Sequence, residues 1–217
     1  MGRIELVCLL AAGALALGAC SDGGATKTGG GGGTGTGTET GARSFSEADA
    51  AYHTLLDTFA AYNGGDTAIA NLASGTATYR GMVRIIGNTD SVIRAEMLGD
   101  LGLIFDLNDP NRETTNGVVH NISTNLPGFE TPDGTLAVAG DITSDGGLAV
   151  VEFFGLGTLT QGDNVIEVGF DGNPSTLEGP NGEWGGGTMK VVLTGKAGDY
   201  DAFYDPVAGG TWLIQRQ

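Results

Sequence analysis

The sequence predicts a mainly β protein: a single eight-stranded antiparallel up-and-down β-barrel with one short N-terminal amphipathic helix. Three observations favour this fold class. From Gly75 onward apolar residues alternate with a period of two, about eight such runs are separated by hairpin-type turns, and no helical pattern lies between them to support parallel pairing. Eight antiparallel strands can close into a barrel, which removes free sheet edges. A two-sheet β-sandwich is the alternative fold.

The predicted strands follow one another in chain order, each defined by its alternating apolar side chains. The fifth run is the exception, because it is almost uniformly apolar. The turns between the runs are rich in Pro, Asp, Asn and Gly. The eight runs are Ala77–Ile85, Leu101–Leu107, Val118–Ile122, Leu136–Ile142, Leu148–Leu156, Ile166–Phe170, Met189–Leu193 and Gly210–Arg216.

Residues 44–66 are predicted to contain the N-terminal helix, and residues 67–217 the barrel domain. Ser44 and Glu47 have the spacing of a capping box, in which each side chain satisfies the other's backbone amide. Asn63–Gly65 is expected to end the helix. One face carries apolar residues at helical spacing, namely Ala48, Ala51, Tyr52, Leu55, Phe59 and Tyr62.

Residues 1–19 have the pattern of a bacterial lipoprotein signal peptide. Arg3 precedes an apolar run from Leu6 to Leu17, which is shorter than the roughly 20 residues that cross a bilayer. Leu17–Cys20 resembles a lipobox, whose cysteine receives a diacylglycerol. We therefore expect cleavage before Cys20 and a stable anchor of more than one acyl chain. An ordinary secretory signal is the alternative.

Residues 20–43 are predicted to be the lipidated cysteine and a disordered Gly/Thr-rich linker. About twenty residues of such a coil span on the order of 25 Å, which would hold the body away from the membrane. Ser21 after the cysteine does not favour retention in the inner membrane. The expected location is therefore the outer membrane, with the body on the cell surface or on the periplasmic face.

The composition restricts the classes of partner. Removal of residues 1–19 takes away only Arg3 and Glu5, so the mature chain carries 9 basic and 25 acidic residues and a net charge of −16. Such a chain is repelled by nucleic acids and by anionic lipid surfaces. Cys8 and Cys20 are the two cysteines, which leaves no disulfide and no thiolate metal ligand in the folded body. A monomer is expected.

Three segments of the chain resemble transferrin-binding-protein-like β-barrel lipoproteins, the family of the transferrin-binding protein B and factor H-binding-like barrel domains. Gly75–Gly81 is similar to the first barrel strand of that family, and Leu103–Asp106 to the end of the next strand. Phe203–Trp212 is similar to the stretch before the last strand, with Asp205 where the family has glycine. The likeness covers residues 74–217.

The resemblance implies an eight-stranded barrel on a lipidated tether, acting as a binding or adhesion module in the periplasm or on the outer surface. The best-known members of the family bind host proteins. The chain has room for one barrel, and no ligand-contact residue carries over from the family.

No catalytic pattern is recognisable in the sequence, and a non-enzymatic role without catalytic residues, metal or cofactor is expected. His53 lies beside the apolar stripe of the helix, and His120 lies within a predicted strand. Asp106–Asn111 is rich in oxygen ligands, but it lacks the EF-hand glycine and contains Pro110, so a capped turn is favoured over a calcium site.

The two tryptophans are the strongest candidates for contact with a partner. Trp184 is predicted to lie in the turn Asn181–Gly187, where an exposed indole could anchor a ligand. Trp212 lies in a predicted strand and is expected in the core.

The leading hypothesis from the sequence is a lipid-anchored module of the cell envelope that recognises a protein or solute through loops at the barrel rim. The alternative is a lipocalin-like carrier of a small apolar ligand in the lumen, and an enzyme is the third reading. Large inward side chains that meet at the axis would leave no lumen; the candidates are Tyr79, Phe105, Phe153 and Phe170.

Overall fold

The computed structural model describes residues 43–88, 94–197, 200–202 and 209–217. They belong to one compact unit, Thr40–Gln217. The predicted signal peptide, Cys20, the linker up to residue 42 and residues 203–208 of the family-like stretch lie outside the described residues.

The described residues form one α-helix, a short 3₁₀ turn at Ile69–Asn71, and nine strands. The helix, α1, spans Phe45–Ala61. The strands are β1 (Thr76–Asn88), β2 (Arg94–Asp106), β3 (Thr114–Thr124), β4 (Leu136–Asp145), β5 (Leu148–Gln161), β6 (Asn164–Thr176), β7 (Trp184–Ala197), β8 (Tyr200–Ala202) and β9 (Gly209–Arg216). In this part of the chain, no helix has the length and apolar character that a membrane crossing requires.

The strands form one closed antiparallel sheet in which chain neighbours pair, with β9 pairing back onto β1. One edge of β7 pairs with β6, and the other pairs with β9 and, further along, with the short β8. The β8 and β9 segments thus share the eighth position around the sheet. The predicted eight-stranded barrel is confirmed, and the sandwich alternative is wrong because the sheet closes on itself.

The inward side chains fill the barrel. Because side chains alternate between the two faces of a strand, the alternating apolar side chains predicted in β1, β2, β4, β6 and β7 lie in one buried cluster, together with Ala149, Val151 and Phe153 of β5. The large aromatics meet inside it: Phe153 is 5.0 Å from Trp212 and 6.1 Å from Phe170, measured between ring centroids. Tyr79 and Phe105 pack edge to face at 5.8 Å. The interior gap beside Val83 and Leu159 has no room for a water molecule.

Helix α1 lies against the outside of the barrel. The capping box is present, since Ser44 Oγ accepts from the Glu47 amide (3.3 Å) and Glu47 Oε2 accepts from the Ser44 amide (2.9 Å). The two hydrogen bonds from Ser44 hold the pKa of Glu47 below its ordinary value. Tyr62 is extended, so α1 ends at Ala61, just before the predicted stop at Asn63–Gly65.

The predicted apolar stripe of α1 covers outward-facing side chains of β1, β2 and β9. Ala48 and Tyr52 form a second buried cluster with Met82, Leu98 and Leu213.

Polar contacts centred on Arg84 also hold the helix in place. Arg84 Nε donates to Glu96 Oε2 at 3.0 Å, and its guanidinium lies 3.6 Å from Asp49 and 5.5 Å from the centre of the Tyr52 ring. One flank of the barrel is therefore covered.

Candidate functional site

Strand β5 is apolar on both faces. Phe153 points inward and is 2% exposed, whereas its neighbour Phe154 points outward and is 54% exposed. Leu156, two residues further on the same outer face, is 59% exposed. An outward apolar pair on a strand is unusual unless another surface covers it, since ordinary sheets place polar residues on the solvent face.

The strand register extends this pair into a continuous surface, which we call the flank surface. It consists of the outward residues Ala137, Ala139, Phe154, Leu156, Gly169 and Val192. Leu156 lies opposite Ala137 on β4 and Gly169 on β6, and Gly169 lies opposite Val192 on β7. Directly opposite residues on one face have Cβ atoms about 5 Å apart, so these side chains are neighbours.

Gly169 forms a shallow depression in the flank surface. A Cβ atom at this position would have no atom within 4 Å. Leu156 and Val192, 39% exposed, border it on either side. The surface is thus not flat and offers a small recess for an apolar group.

A groove adjoins the flank surface where β3 separates from β4. These strands pair only at Val118–Ala137 and Val119–Leu136. Farther along, Thr114 Oγ1 accepts from the Gly140 amide (3.0 Å) in place of a strand-to-strand bond. The separation opens a groove of about 340 Å³, and Phe154 lines both the groove and the flank surface.

The groove is acidic. Four carboxylate residues line it, namely Glu113, Asp141, Glu152 and Asp171, and no basic residue is among its lining. None of the ion pairs in the described ranges involves any of the four. The acids are dispersed, since no three metal-ligating side chains in the described part of the chain group closely enough to hold an ion. The groove is therefore suited to several spaced cationic groups.

Two of these acids face each other across neighbouring strands. Asp141 on β4 is the register partner of Glu152 on β5. Like charges directly opposite one another destabilise an antiparallel pair. The repulsion would be relieved if a cationic group lay between them.

The predicted ligand candidate Trp184 does not lie on the surface. It begins β7 instead of lying in a loop, is 4% exposed, and its ring centre is 6.0 Å from those of Phe59 and Tyr62. The expectation of an exposed indole was wrong because the end of α1 and the residue that follows it cover this position. Trp212 is fully buried, as predicted.

The other polar residues singled out in the sequence have local roles. His53 is exposed, 3.6 Å from Asp49 on the same helix. His120 is partly buried in β3, opposite Asp100.

The Asp106–Asn111 segment forms a capped turn. Asp106 Oδ1 accepts from the Asn108 amide (2.9 Å), and Asp109 Oδ1 accepts from the Asn111 amide (2.7 Å). Carboxylate oxygens that a calcium site would use are thus occupied by the turn's own backbone.

The flank surface was not predicted from the sequence. The available signal was the uniform apolarity of the fifth run, where a strand with one solvated face would alternate. A scan against protein-family models finds no match for the chain, and a search among curated proteins finds none either.

Proposed function

We propose that this chain is a lipid-anchored binding module of the cell envelope, non-enzymatic, which recognises a protein partner through the flank surface. One observation carries the proposal: Phe154 and Leu156 remain more than half exposed on β5, a strand diametrically opposite β1 in an eight-membered ring. On the β1 side, the outward apolar residues are covered by α1. Exposed apolar surface of this kind is typical of protein interaction sites.

The alternative, a carrier of a small apolar ligand in the lumen, is supported less well. A carrier needs interior volume, and side chains of Phe153, Phe170 and Trp212 occupy the middle of this barrel. The proposed recognition site is therefore the flank surface in place of the rim loops expected from the sequence.

The proposed anchor rests on the sequence. The lipobox-like Leu17–Cys20 and the Gly/Thr-rich linker support attachment of an outer-membrane lipoprotein through Cys20, with the body on the cell surface or in the periplasm. The family resemblance supports the same combination of tether and barrel. The net charge of −16 keeps the body away from anionic lipid, so the lipid would be the membrane contact.

Chemical crosslinking in intact cells tests the proposal. The full-length chain is tagged and made at native level in the cells that encode it, as wild type, as Phe154→Ala/Leu156→Ala, and as the control Val165→Ala. Val165 is also exposed and apolar, at 44%, but it lies outside the flank surface. We expect a discrete protein adduct with the wild type and the control, reduced about ten-fold in the double variant, as for loss of an interface anchor.

Solvent extraction of the same purified proteins tests the carrier. An apolar ligand present at one equivalent, together with adduct levels that do not depend on Phe154 and Leu156, would replace the proposed function with the carrier function. Protease treatment of intact cells then shows on which side of the outer membrane the body lies.

A further inference from the structure

We propose that the flank surface and its groove bind an extended, basic protein segment, in which cationic side chains stand two positions from apolar ones. This inference rests on the proposed function and specifies the chemistry of the partner.

The apolar part of the site is Phe154, Leu156 and the recess at Gly169. Phe154 is shared between the groove and the flank surface, so one bound segment can contact both. Aromatic side chains, phenylalanine among them, are enriched in protein interfaces relative to the rest of the surface.

The polar part of the site requires positive charge. Asp141 and Glu152 are opposed across β4 and β5, and Asp171 lies directly opposite Phe154 on β6. Lysine or arginine side chains placed between these carboxylates would remove the like-charge repulsion and form charge-assisted hydrogen bonds. The remaining groove acid, Glu113, contacts Asn111 at 3.4 Å.

The spacing favours an extended segment. Glu152, Phe154 and Leu156 follow one another on the outer face of one strand, at intervals of about 7 Å. An extended peptide places alternate side chains on one face at the same interval, so a basic residue over Glu152 sets apolar residues over Phe154 and Leu156. A helix brings side chains back to one face about every 5.4 Å, which does not match the interval of about 7 Å along β5.

Charge argues against two other occupants. A second copy of the chain would bring another net charge of −16 to an acidic groove. A bilayer with anionic lipids would be repelled by the same carboxylates. Of these three occupants, a segment with basic and apolar side chains matches both the acidic and the apolar part of the site.

Fluorescence anisotropy with synthetic peptides tests the inference on the purified full-length chain. Two probe peptides are used, Lys-Ser-Lys-Ser-Phe-Ser-Leu and the same sequence in reverse, because a bound segment can run in either direction along β5. One control peptide carries Glu in place of Lys, and another carries Ser in place of Phe and Leu. We expect the probe to bind in at least one order, the Glu peptide not to bind, and the Ser peptide to bind about ten-fold more weakly.

Protein variants locate the binding. Phe154→Ala is expected to lower the affinity for the probe peptide about ten-fold, and Val165→Ala to leave that affinity unchanged. Asp141→Asn/Glu152→Gln is expected to weaken binding of the probe peptide and to make its affinity less dependent on salt concentration. The matched control, Asp145→Asn/Asp163→Asn, removes two exposed charges outside the groove. It should keep the wild-type affinity for the probe and the wild-type salt dependence.

Four results would overturn the inference: no binding by the probe in either order, equal binding of the probe and the Ser peptide, insensitivity to Phe154→Ala, or equal effects of the two acidic double variants. Flotation with neutral phosphatidylcholine vesicles that depends on Phe154 would assign the surface to lipid. A concentration-dependent dimer lost in Leu156→Ala would assign it to a second copy. If the probe peptide does not bind while the cellular adduct still depends on Phe154, the inference of a basic partner segment is wrong, but the proposed binding function is retained.

Discussion

Phe153 and Phe154 are adjacent in sequence but lie on opposite faces of β5. Replacing each by alanine in turn therefore measures how much an inward and an outward side chain of this strand contribute to stability. Phe153 is 2% exposed and packs against Phe170 and Trp212. A buried phenylalanine covers about 200 Å², which at about 25 cal/mol per Å² corresponds to roughly 5 kcal/mol. Since alanine retains part of this area and a cavity remains, we expect Phe153→Ala to cost about 3–5 kcal/mol.

Phe154→Ala is expected to cost far less. The side chain is 54% exposed, so the same relation gives at most about 2 kcal/mol, and solvent fills the space without a cavity term. The free energies of unfolding of the two variants should therefore differ by at least about 1 kcal/mol, with Phe153→Ala the less stable.

Urea unfolding followed by tryptophan fluorescence measures this difference, because Trp184 and Trp212 are both buried and are the two tryptophans of the chain. If Phe153→Ala does not fold, Phe153→Leu provides a smaller cavity for the same comparison. Equal losses of stability, or a larger loss for Phe154→Ala, would refute the inward and outward assignment of β5 on which the flank surface depends.

Three further predictions concern the barrel wall, its interior and the anchor. Gly81→Ala should destabilise the protein by about 1–3 kcal/mol in urea unfolding, because its Cβ would collide with the Leu213 carbonyl, whereas Gly169→Ala has open space and should stay near wild type. Burial raises the pKa of Tyr79 to about 12, so the folded state keeps a proton that the unfolded state loses above about pH 10. Stability should therefore fall as the pH rises from 10 to 12, by up to about 2–3 kcal/mol, and an equal alkaline loss in Tyr79→Phe would contradict this. Cys20→Ala should lose both metabolic fatty-acid labelling and membrane fractionation, and retention of both would disprove the anchor.

Much of the barrel was predictable because local pattern and global fold agree. Apolar alternation assigned the inward face of β1 and β2 correctly, and the capping box placed the start of α1 at Phe45. Trp212 was assigned to the core because it lies within a strand. In these segments the periodicity alone determines which side chains are buried.

The parts that could not be predicted depend on tertiary packing. The glycines around Trp184 suggested a turn, but β7 begins at Trp184, and the end of α1 covers its indole. Met82 and Leu98 occupy outward positions in their strands, and only the docking of α1 makes them core residues. The separation of β3 from β4 cannot be recognised from composition. It depends on a side-chain contact, in which Thr114 Oγ1 accepts from the Gly140 amide where a backbone carbonyl of β3 would accept in a regular sheet.

A photocrosslinking scan along β5 in intact cells tests the central claim most directly. A photoreactive amino acid is placed singly at positions 151 to 158 of the full-length chain, with positions 145 to 147 representing the neighbouring hairpin. If the outer face of the barrel is the binding surface, a protein adduct forms at 154 and 156 and not at 153, 155 or 157. Adducts confined to the hairpin positions, or formed equally at inward and outward positions of β5, would contradict it.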